Sequence, residues 1–367
     1  MKIAIDARSI ASSTGTYVRN LVQHLQDIDQ VSSFTIFVPQ GVAAELNIRA
    51  SNFTIEEITA GPFSMAEQTR FLFRLVRGRY DLVHFAMPQQ PLLYPRMRVT
   101  TFHDLTLVRH STLPRGRFLN AAFRACVAGI FQFTIRANKR LIAPTRYTRG
   151  DLARFSGINE SRISVTYEAA DPAGGVTEPY PVTQRPFILA VGNFYDYKNV
   201  RRLVEAHGQL RQSGKDVDLV LVGNLHKAGQ LLQMEIQSSR HEGVHFTGFI
   251  SDAQKNWLFQ NCEVYAFPSI SEGFGLPGLE AMVNGAPVVA SSATCLPEVY
   301  GDAALYFDPF DPSDIAATIG SVLESPDLRN KLISAGYARA ESFSWRRMAD
   351  ETHAVYSSLA PRPRKAK

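Results

Sequence analysis

Ten short apolar runs, rich in β-branched and aromatic residues and each followed by an amphipathic stretch, constrain this chain more than any other feature. Five lie in the first half: "KIAIDA" (2–7), "FTIFV" (34–38), "DLVHFA" (81–86), "RVTTFHD" (98–104) and "RLIAPT" (140–145). Five more follow residue 185: "PFILAVG" (186–192), "DLVLVG" (218–223), "VHFTG" (244–248), "EVYAFPS" (263–269) and "APVVAS" (286–291). Helical patterns, such as 16–27 and 116–137, fill the gaps. Strand and helix in this rhythm build a parallel sheet covered on both faces. Between the two sets lies "EAADPAGGVTEPYPVTQRP" (168–186), rich in Pro, Gly, Thr and acid, which reads as an interdomain linker. The predicted class is α/β, with two doubly wound domains. The expected bounds are 1–175, 176–342, and a last segment 343–367 that carries an amphipathic helix and a basic tail. That helix is expected to pack back toward the first domain. A chain of 367 residues that is 45% hydrophobic can supply both cores.

Charge divides the chain in the same place. Residues 1–185 hold 22 Lys and Arg against 14 Asp and Glu; residues 186–360 hold 13 against 20; the tail "PRPRKAK" adds four cations. The two halves therefore meet different partners or surfaces. Nucleic acid is not expected, because no recognition motif and no aromatic-interleaved basic patch accompanies the charge. Cys126, Cys262 and Cys295 are odd in number and far apart, which suits a reducing, cytoplasmic setting and gives no metal spacing. The N-terminus carries no secretory pattern. No stretch reaches about 18 uninterrupted apolar residues, so no membrane-spanning helix is expected.

Ligands of open parallel sheets bind outside the carboxyl ends of the strands, and two such domains place the natural site in a cleft between them. "SEGFGLPGLEAM" (271–282) occupies such an end, after "EVYAFPS". Pro277 suits the first turn of a helix, which puts Glu280 inside the helix and leaves Glu272 on the loop. The glycines allow close backbone approach, and a helix start suits phosphate. Two carboxylates beside an anion site make sense if the ligand also carries hydroxyls, as a sugar and a ribose flanking a diphosphate would. An exposed loop Glu and an ordinary helix Glu stay open as the plain alternative.

The filling of that segment is specific. "PSISEGFGLPGLEAMVNGAPVVASSATCLPEVYGDAALYFDP" (268–309) resembles the donor-site signature of family 4 glycosyltransferases, enzymes of the GT-B fold. "VGNFYDYKNVRRLVEAH" (191–207), "VHFTGFISDAQ" (244–254), "FHDLTLVRHSTLP" (102–114), "IAPTRYTRGDL" (142–152) and "STGTYVRNL" (13–21) extend the resemblance over essentially the whole chain. It implies a Rossmann-like acceptor-binding domain followed by a Rossmann-like nucleotide-sugar-binding domain.

The resemblance also implies roles. Lys198 would neutralise the donor diphosphate. Glu272 would hold the transferred sugar and Glu280 the ribose, with Gly273, Phe274, Gly275 and Leu276 on the same donor loop. Phe249, Ile250 and Asp252 would meet the base, although Asp252 equally suits the N-cap of the helix that follows. Gly15 would approach the diphosphate, Thr16 and Tyr17 would line the acceptor side, and His103 would steady the reacting centre. The family often has an Arg where Asn193 follows Gly192. No metal is expected, since there is no Asp-x-Asp motif and Lys198 with helix N-termini can replace a cation; no cofactor is expected beyond the nucleotide-sugar co-substrate.

The expected activity is retaining, metal-independent hexosyl transfer, first from GDP-mannose, to a saccharide acceptor expected to be lipid-linked, in O-antigen, capsule or exopolysaccharide assembly. Alternatives are a rhamnosyl- or glucosyltransferase using a dTDP- or UDP-sugar, a nucleotide-sugar 2-epimerase, and a non-catalytic nucleotide-sugar-binding subunit. The basic-apolar segments "RFLFRLVRGRY" (70–80) and "RGRFLNAAFRACVAGIFQFTIRANKR" (115–140) can set Arg117, Arg124 and Arg136 near Phe123, Phe131 and Phe133. They suggest an anionic membrane surface as a partner, at the inner face of the cytoplasmic membrane.

Overall fold

β-Branched and aromatic runs become strands where both of their faces are covered. The computed structural model describes residues 1–12, 14–110, 117–171, 175–239 and 241–360, excluding the side chain of Arg117. The first sheet contains β1 (Lys2–Asp6), β2 (Ser33–Pro39), β3 (Phe53–Ile58), β4 (Leu82–Phe85), β5 (Arg98–Thr101), β6 (Arg140–Ala143) and β7 (Ile163–Val165), in the order β3-β2-β1-β4-β5-β6-β7. The second contains β8 (Phe187–Val191), β9 (Asp218–Val222), β10 (Val244–Gly248), β11 (Val264–Phe267), β12 (Val288–Ser291) and β13 (Ala304–Phe307), in the order β10-β9-β8-β11-β12-β13. The pairings in both sheets are parallel. These are the two doubly wound sheets implied by the alternation. Strand order reverses between β1 and β4 in one sheet and between β8 and β11 in the other. Those are the points where a crevice opens at the carboxyl edge.

The chain forms two compact units. One comprises residues 1–108, 121–168 and 344–367, the other 109–120 and 169–343. The first covers its sheet with two cores. Phe37, Phe71, Leu75 and Phe85 belong to one; Phe102, Val127, Phe131, Ile135 and Leu152 belong to the other. The second unit is built on Leu203, Leu219, Leu221, Val289 and Ile319.

Two buried polar knots fix the first unit's loops. Arg8, after β1, donates to both oxygens of Asp6 at 2.8 Å, to Glu67 at 2.7 Å and to the Ala60 carbonyl at 2.8 Å, with its guanidinium over the Phe71 ring. A buried charge needs such saturation. The last helix, Trp345–Leu359, packs against the helix Gly15–Ile28. Its Tyr356 hydroxyl lies 2.6 Å from His84 Nδ1.

The helix Arg117–Ala137 turns Val127, Phe131, Thr134 and Ile135 inward. Phe123 packs against the same core, whereas Phe118, at 93% exposed, Leu119 and Phe133 face outward. Phe131 thus serves the core and not a surface face. The Arg117 side chain, residues 111–116 and the tail 361–367 lie outside the described residues. Residues Phe118–Ala137 are long and apolar enough to cross a membrane by length and composition, with mean hydropathy 1.4. The stretch escapes a search for uninterrupted runs because Arg124 and Arg136 break it.

Asp29 ends the first helix and accepts from the backbone N–H of Val31 and Ser32 at 3.0 and 2.8 Å and from His353 Nε2 at 3.0 Å. Burial pushes its carboxyl up, but the bonds from Ser32, Val31 and His353 outweigh burial and hold it at about 2. Because the folded value lies below the unfolded one, the stabilisation is complete above the unfolded value and is lost as pH falls through about 2. Asp29→Ala should cost on the order of 2 kcal/mol near neutral pH. The loss in urea midpoint should be visibly smaller at about pH 3, part-way down that titration.

Candidate functional site

The second unit's site grows from the carboxyl ends of β8 and β11. Beyond β8 the chain passes Gly192 and Asn193, makes a short turn Asp196–Lys198, and enters the helix Val200–Gln212 through Asn199. Gly223 presses on this exit: a Cβ there would lie 1.7 Å from the Gly192 carbonyl oxygen. Asn199 is buried and left-handed, with φ 60°. Its amide donates to the carbonyls of Pro268 at 3.1 Å and Pro309 at 2.6 Å. The Ile270 N–H donates to the Tyr197 carbonyl at 2.8 Å. The loop after β8 is thereby tied to the loop after β11. Gly192, Asn193, Lys198, Phe267 and Ser269 line the hollow between the two strand ends.

Lys198 and Glu272 meet in that arrangement. Lys198 Nζ donates to Glu272 Oε1 at 2.6 Å, and both side chains are mostly buried. Lys198 Nζ also lies 5.5 Å from the Tyr197 and Phe267 rings. A charge pair this shielded from water has given up most of its hydration, so a ligand that offers each member a better partner can separate it.

The helix Leu276–Val283 starts after Gly275, whose φ is 91°. Gly275 and Gly278 have a different physical reason from the one the sequence suggests. Tyr300 is buried beneath them, its hydroxyl donates to the Gly275 carbonyl at 2.5 Å, and a Cβ at either position would collide with it. Phe274 likewise turns inward, edge-on to Phe343 at 5.6 Å. Gly273 is buried, and Leu276 is half-buried.

Glu280, one turn into this helix, pairs with Lys255 at 3.2 Å. Burial raises the Glu280 carboxyl above the ordinary range, and Lys255 only partly offsets it. Burial lowers the Lys255 ammonium, but Glu280 and Asp252 outweigh it and raise the group. Lys255 also reaches Asp252 at 3.0 Å. It carries no motif and was not singled out in the sequence.

Phe249 and Ile250 follow β10, Phe249 fully outward at 85% exposed. The helix Asp252–Asn261 is capped by Ser251, whose hydroxyl accepts from Gln254 N–H while the Gln254 side chain accepts from Ser251 N–H. The N-cap is therefore Ser251, and Asp252 is the first helical residue. Asn193 Oδ1 accepts weakly from Tyr195 N–H at 3.4 Å.

The remaining predicted residues belong to the first unit. Gly15 opens the helix Gly15–Ile28 and is required by its own loop, since a Cβ would lie 1.9 Å from the Ile10 carbonyl oxygen. Ser13, in the same motif, lies outside the described residues. Thr16 is half-buried, and its carbonyl accepts from Asn20. Tyr17 is 2% exposed, with its hydroxyl 3.0 Å from Thr101 Oγ1. Its polar atom is spent in the interior, so the assignment of its side chain to an acceptor surface is corrected. His103 lies beyond β5, between Glu168 and the Ala86 carbonyl. Among the described residues, no group of three or more His, Cys, Asp or Glu could hold a metal ion.

Comparison with known proteins assigns the two units. Residues 14–173 match "Glycosyltransferase Family 4" and residues 178–339 match "Glycosyl transferases group 1". The chain belongs to the family 4 glycosyltransferases. It is a hexosyltransferase. It is 29% identical over 275 residues to O-antigen chain mannosyltransferase B of Escherichia coli, covering 71% of this chain and 70% of that protein. Over 169 residues it is 37% identical to MMP alpha-(1->4)-mannosyltransferase of Mycolicibacterium hassiacum, covering 45% of this chain but only 41% of the relative. The solved sucrose-phosphate synthase of Thermosynechococcus elongatus has the same GT-B fold, with a TM-score of 0.78, 19% identity, and coverage of 98% of this chain and 99% of that one.

Asn199 ties the loop after β8 to those after β11 and β13, so its removal should be felt there first. Asn199→Ala deletes two buried hydrogen bonds and places alanine in a left-handed conformation. Together these should cost about 2 kcal/mol or more. Asn199→Gly, which tolerates the dihedral, should lose less. Thermal midpoints of the three proteins check the order.

Proposed function

We propose that this glycosyltransferase moves mannose, with GDP-mannose as the first-choice donor, to a lipid-linked saccharide acceptor in surface-polysaccharide assembly, with retention of anomeric configuration. The observation that carries the reading is the Lys198–Glu272 pair at the carboxyl ends of β8 and β11. Mannosyl transfer rests on the mannosyltransferase relatives and on the first-domain motifs.

A diphosphate offers Lys198 more negative charge than one carboxylate does. Donor binding would draw Lys198 to phosphate and free Glu272 to accept hydrogen bonds from sugar hydroxyls. Glu280 would accept from the ribose diol, held in place by Lys255. The Gly273–Leu276 backbone would line the diphosphate, and Phe249, Ile250 and Asp252 would border the base. Gly15 would approach the diphosphate through its backbone, and Thr16 would lie toward the acceptor. In front-face substitution, the bond between the anomeric carbon and the donor phosphate oxygen breaks. The acceptor oxygen bonds to the same face, and the departing phosphate oxygen takes the acceptor's proton. Lys198 stabilises the charge that grows on that oxygen, while Glu272 holds the sugar in position. No divalent metal enters this scheme.

A ribose contact persists from ground state to transition state, whereas a contact to the reacting sugar strengthens as charge develops. Glu280→Ala should therefore raise KM for the donor roughly tenfold with a small change in kcat. Glu272→Ala should lower kcat by roughly a hundredfold or more. Steady-state kinetics across a panel of nucleotide sugars decide it. Unchanged constants in both variants would remove the assignment.

We also infer peripheral attachment to an anionic membrane. The helical segment 65–78 turns Phe71 and Leu75 inward and leaves Met65, Phe73 (65% exposed) and Val76 outward among exposed Arg70, Arg74 and Arg77. Such an amphipathic face suits anionic headgroups, each cation contributing about 1 kcal/mol. Flotation with anionic liposomes should succeed at low salt, weaken with added salt, and fail for a variant combining Arg70→Ser, Phe73→Ser and Arg77→Ser. Equal binding to neutral liposomes, or none at low salt, would refute attachment.

A further inference from the structure

His103 is held by two acceptors. Its Nδ1 lies 3.0 Å from Glu168 Oε1, and its Nε2 lies 3.1 Å from the Ala86 carbonyl oxygen. Neither partner can donate: one is a carbonyl and the other a carboxylate. A neutral imidazole carries one N–H, so it can satisfy only one of them. The imidazolium satisfies both. The carboxylate belongs to a residue that the sequence assigns to a linker, yet Glu168 is only 7% exposed and forms part of the first unit.

The other neighbours agree with a charge at this ring. Asp104 adds a second negative charge from the same loop. Burial lowers the His103 value, but the Glu168 contact, the Ala86 carbonyl and Asp104 outweigh it and raise it overall. Tyr17 meets the ring edge-on at 4.9 Å, from the helix Gly15–Ile28, and burial raises its phenol far above neutral pH, so it stays uncharged. His84, on β4, is lowered to about 3 by burial and by the His103 charge. His84 is neutral, bonded between Tyr356 and Thr101 Oγ1. The surroundings of His84 and His103 thus push the two rings in opposite directions.

We infer that Glu168 is a positioning residue that locks His103 as an imidazolium, so that the ring serves transfer as a fixed positive charge and not as a base. The inference rests on the proposed glycosyl transfer for the use made of the charge, and on the first unit's geometry for the charge itself. A ring with both nitrogens already donating has no lone pair to take the acceptor's proton. That proton then goes to the departing phosphate oxygen. The ring's partly exposed edge, at the carboxyl ends of β4 and β5, offers an anionic substrate group a cation whose position costs no reorganisation.

The test has two independent readouts on the full-length chain. In the first, histidine-labelled protein is titrated by NMR without substrate, with the His103 signal assigned by its loss in His103→Gln. The wild-type midpoint should lie above the ordinary value of about 6.5. Glu168→Gln should lower it by about one unit or more, and Glu168→Asp should restore part of the shift. In the second, the pH dependence of kcat/KM is followed for the same variants. His103 carries its charge below its midpoint and loses it as pH rises through that value, so activity should fall on the alkaline side. The fall should begin at a correspondingly lower pH in Glu168→Gln. A His103 midpoint unmoved by Glu168→Gln would overturn the inference. So would a midpoint that moves while the alkaline limb stays put. A wild-type enzyme that transfers no sugar from any nucleotide donor would instead overturn the proposed function, with the NMR titration still deciding the state of His103. Should Glu168→Gln not fold, Glu168→Asp gives the same comparison with a smaller shift.

Discussion

One buried amide governs the crevice at the carboxyl ends of β8 and β11. In a parallel sheet, neighbouring strands on either side of the reversal send their crossovers away from each other, which opens a crevice but leaves its two walls without a shared backbone ladder. Asn199 supplies the missing connection, from a left-handed turn, by donating both amide protons to carbonyls that follow β11 and β13. Lys198 is presented because the next residue is pinned. Glu272 meets it because the loop after β11 is held by the same amide and by the Ile270–Tyr197 backbone bond. Beneath the far end of that loop, Tyr300 fixes the Gly275 carbonyl. The crevice walls are rigid for reasons that lie behind them.

Much of this was legible in the sequence. The alternation of apolar runs gave the fold class and ten of the thirteen strands. The three that escaped are weak in that pattern. β3, "FTIEEI", is an edge strand whose adjacent Glu56 and Glu57 break the apolar run; β7 has three residues and β13 four. The glycine- and proline-filled segment with its two glutamates was recognisable from side-chain chemistry alone. Lys255 was not, because its pairing with Glu280 joins different helices and exists only once β11 has brought them together. Glu168 was masked by composition: the Pro, Gly and acidic residues that follow it read as a linker, while the residue itself completes the first unit. Tyr17 did leave a signal. Tyr17, Leu21 and Leu25 recur at one-turn spacing on the buried stripe of their helix, and that period outweighs the hint that it faces a substrate.

Several buried charges are neutralised before any ligand arrives. Arg8 is saturated by Asp6 and Glu67, Lys198 by Glu272, Lys255 by Glu280 and Asp252, and His103 by Glu168. Under the proposed function only the Lys198 pair must open. The others can stay paired when the donor binds, so the exchange of partners falls on that one pair.

The last helix has a consequence for how the protein is made. It closes contacts with residues made much earlier in the chain: His353 with Asp29 and Tyr356 with His84, separations of 324 and 272 residues. The second unit lies almost entirely between these partners in the chain and can collapse while translation continues. The first unit cannot finish until the final turn of helix emerges. A nascent chain therefore carries a histidine that lacks one of its two partners and an open apolar helix face until that helix is made. Maturation of the first unit is timed by the helix Trp345–Leu359.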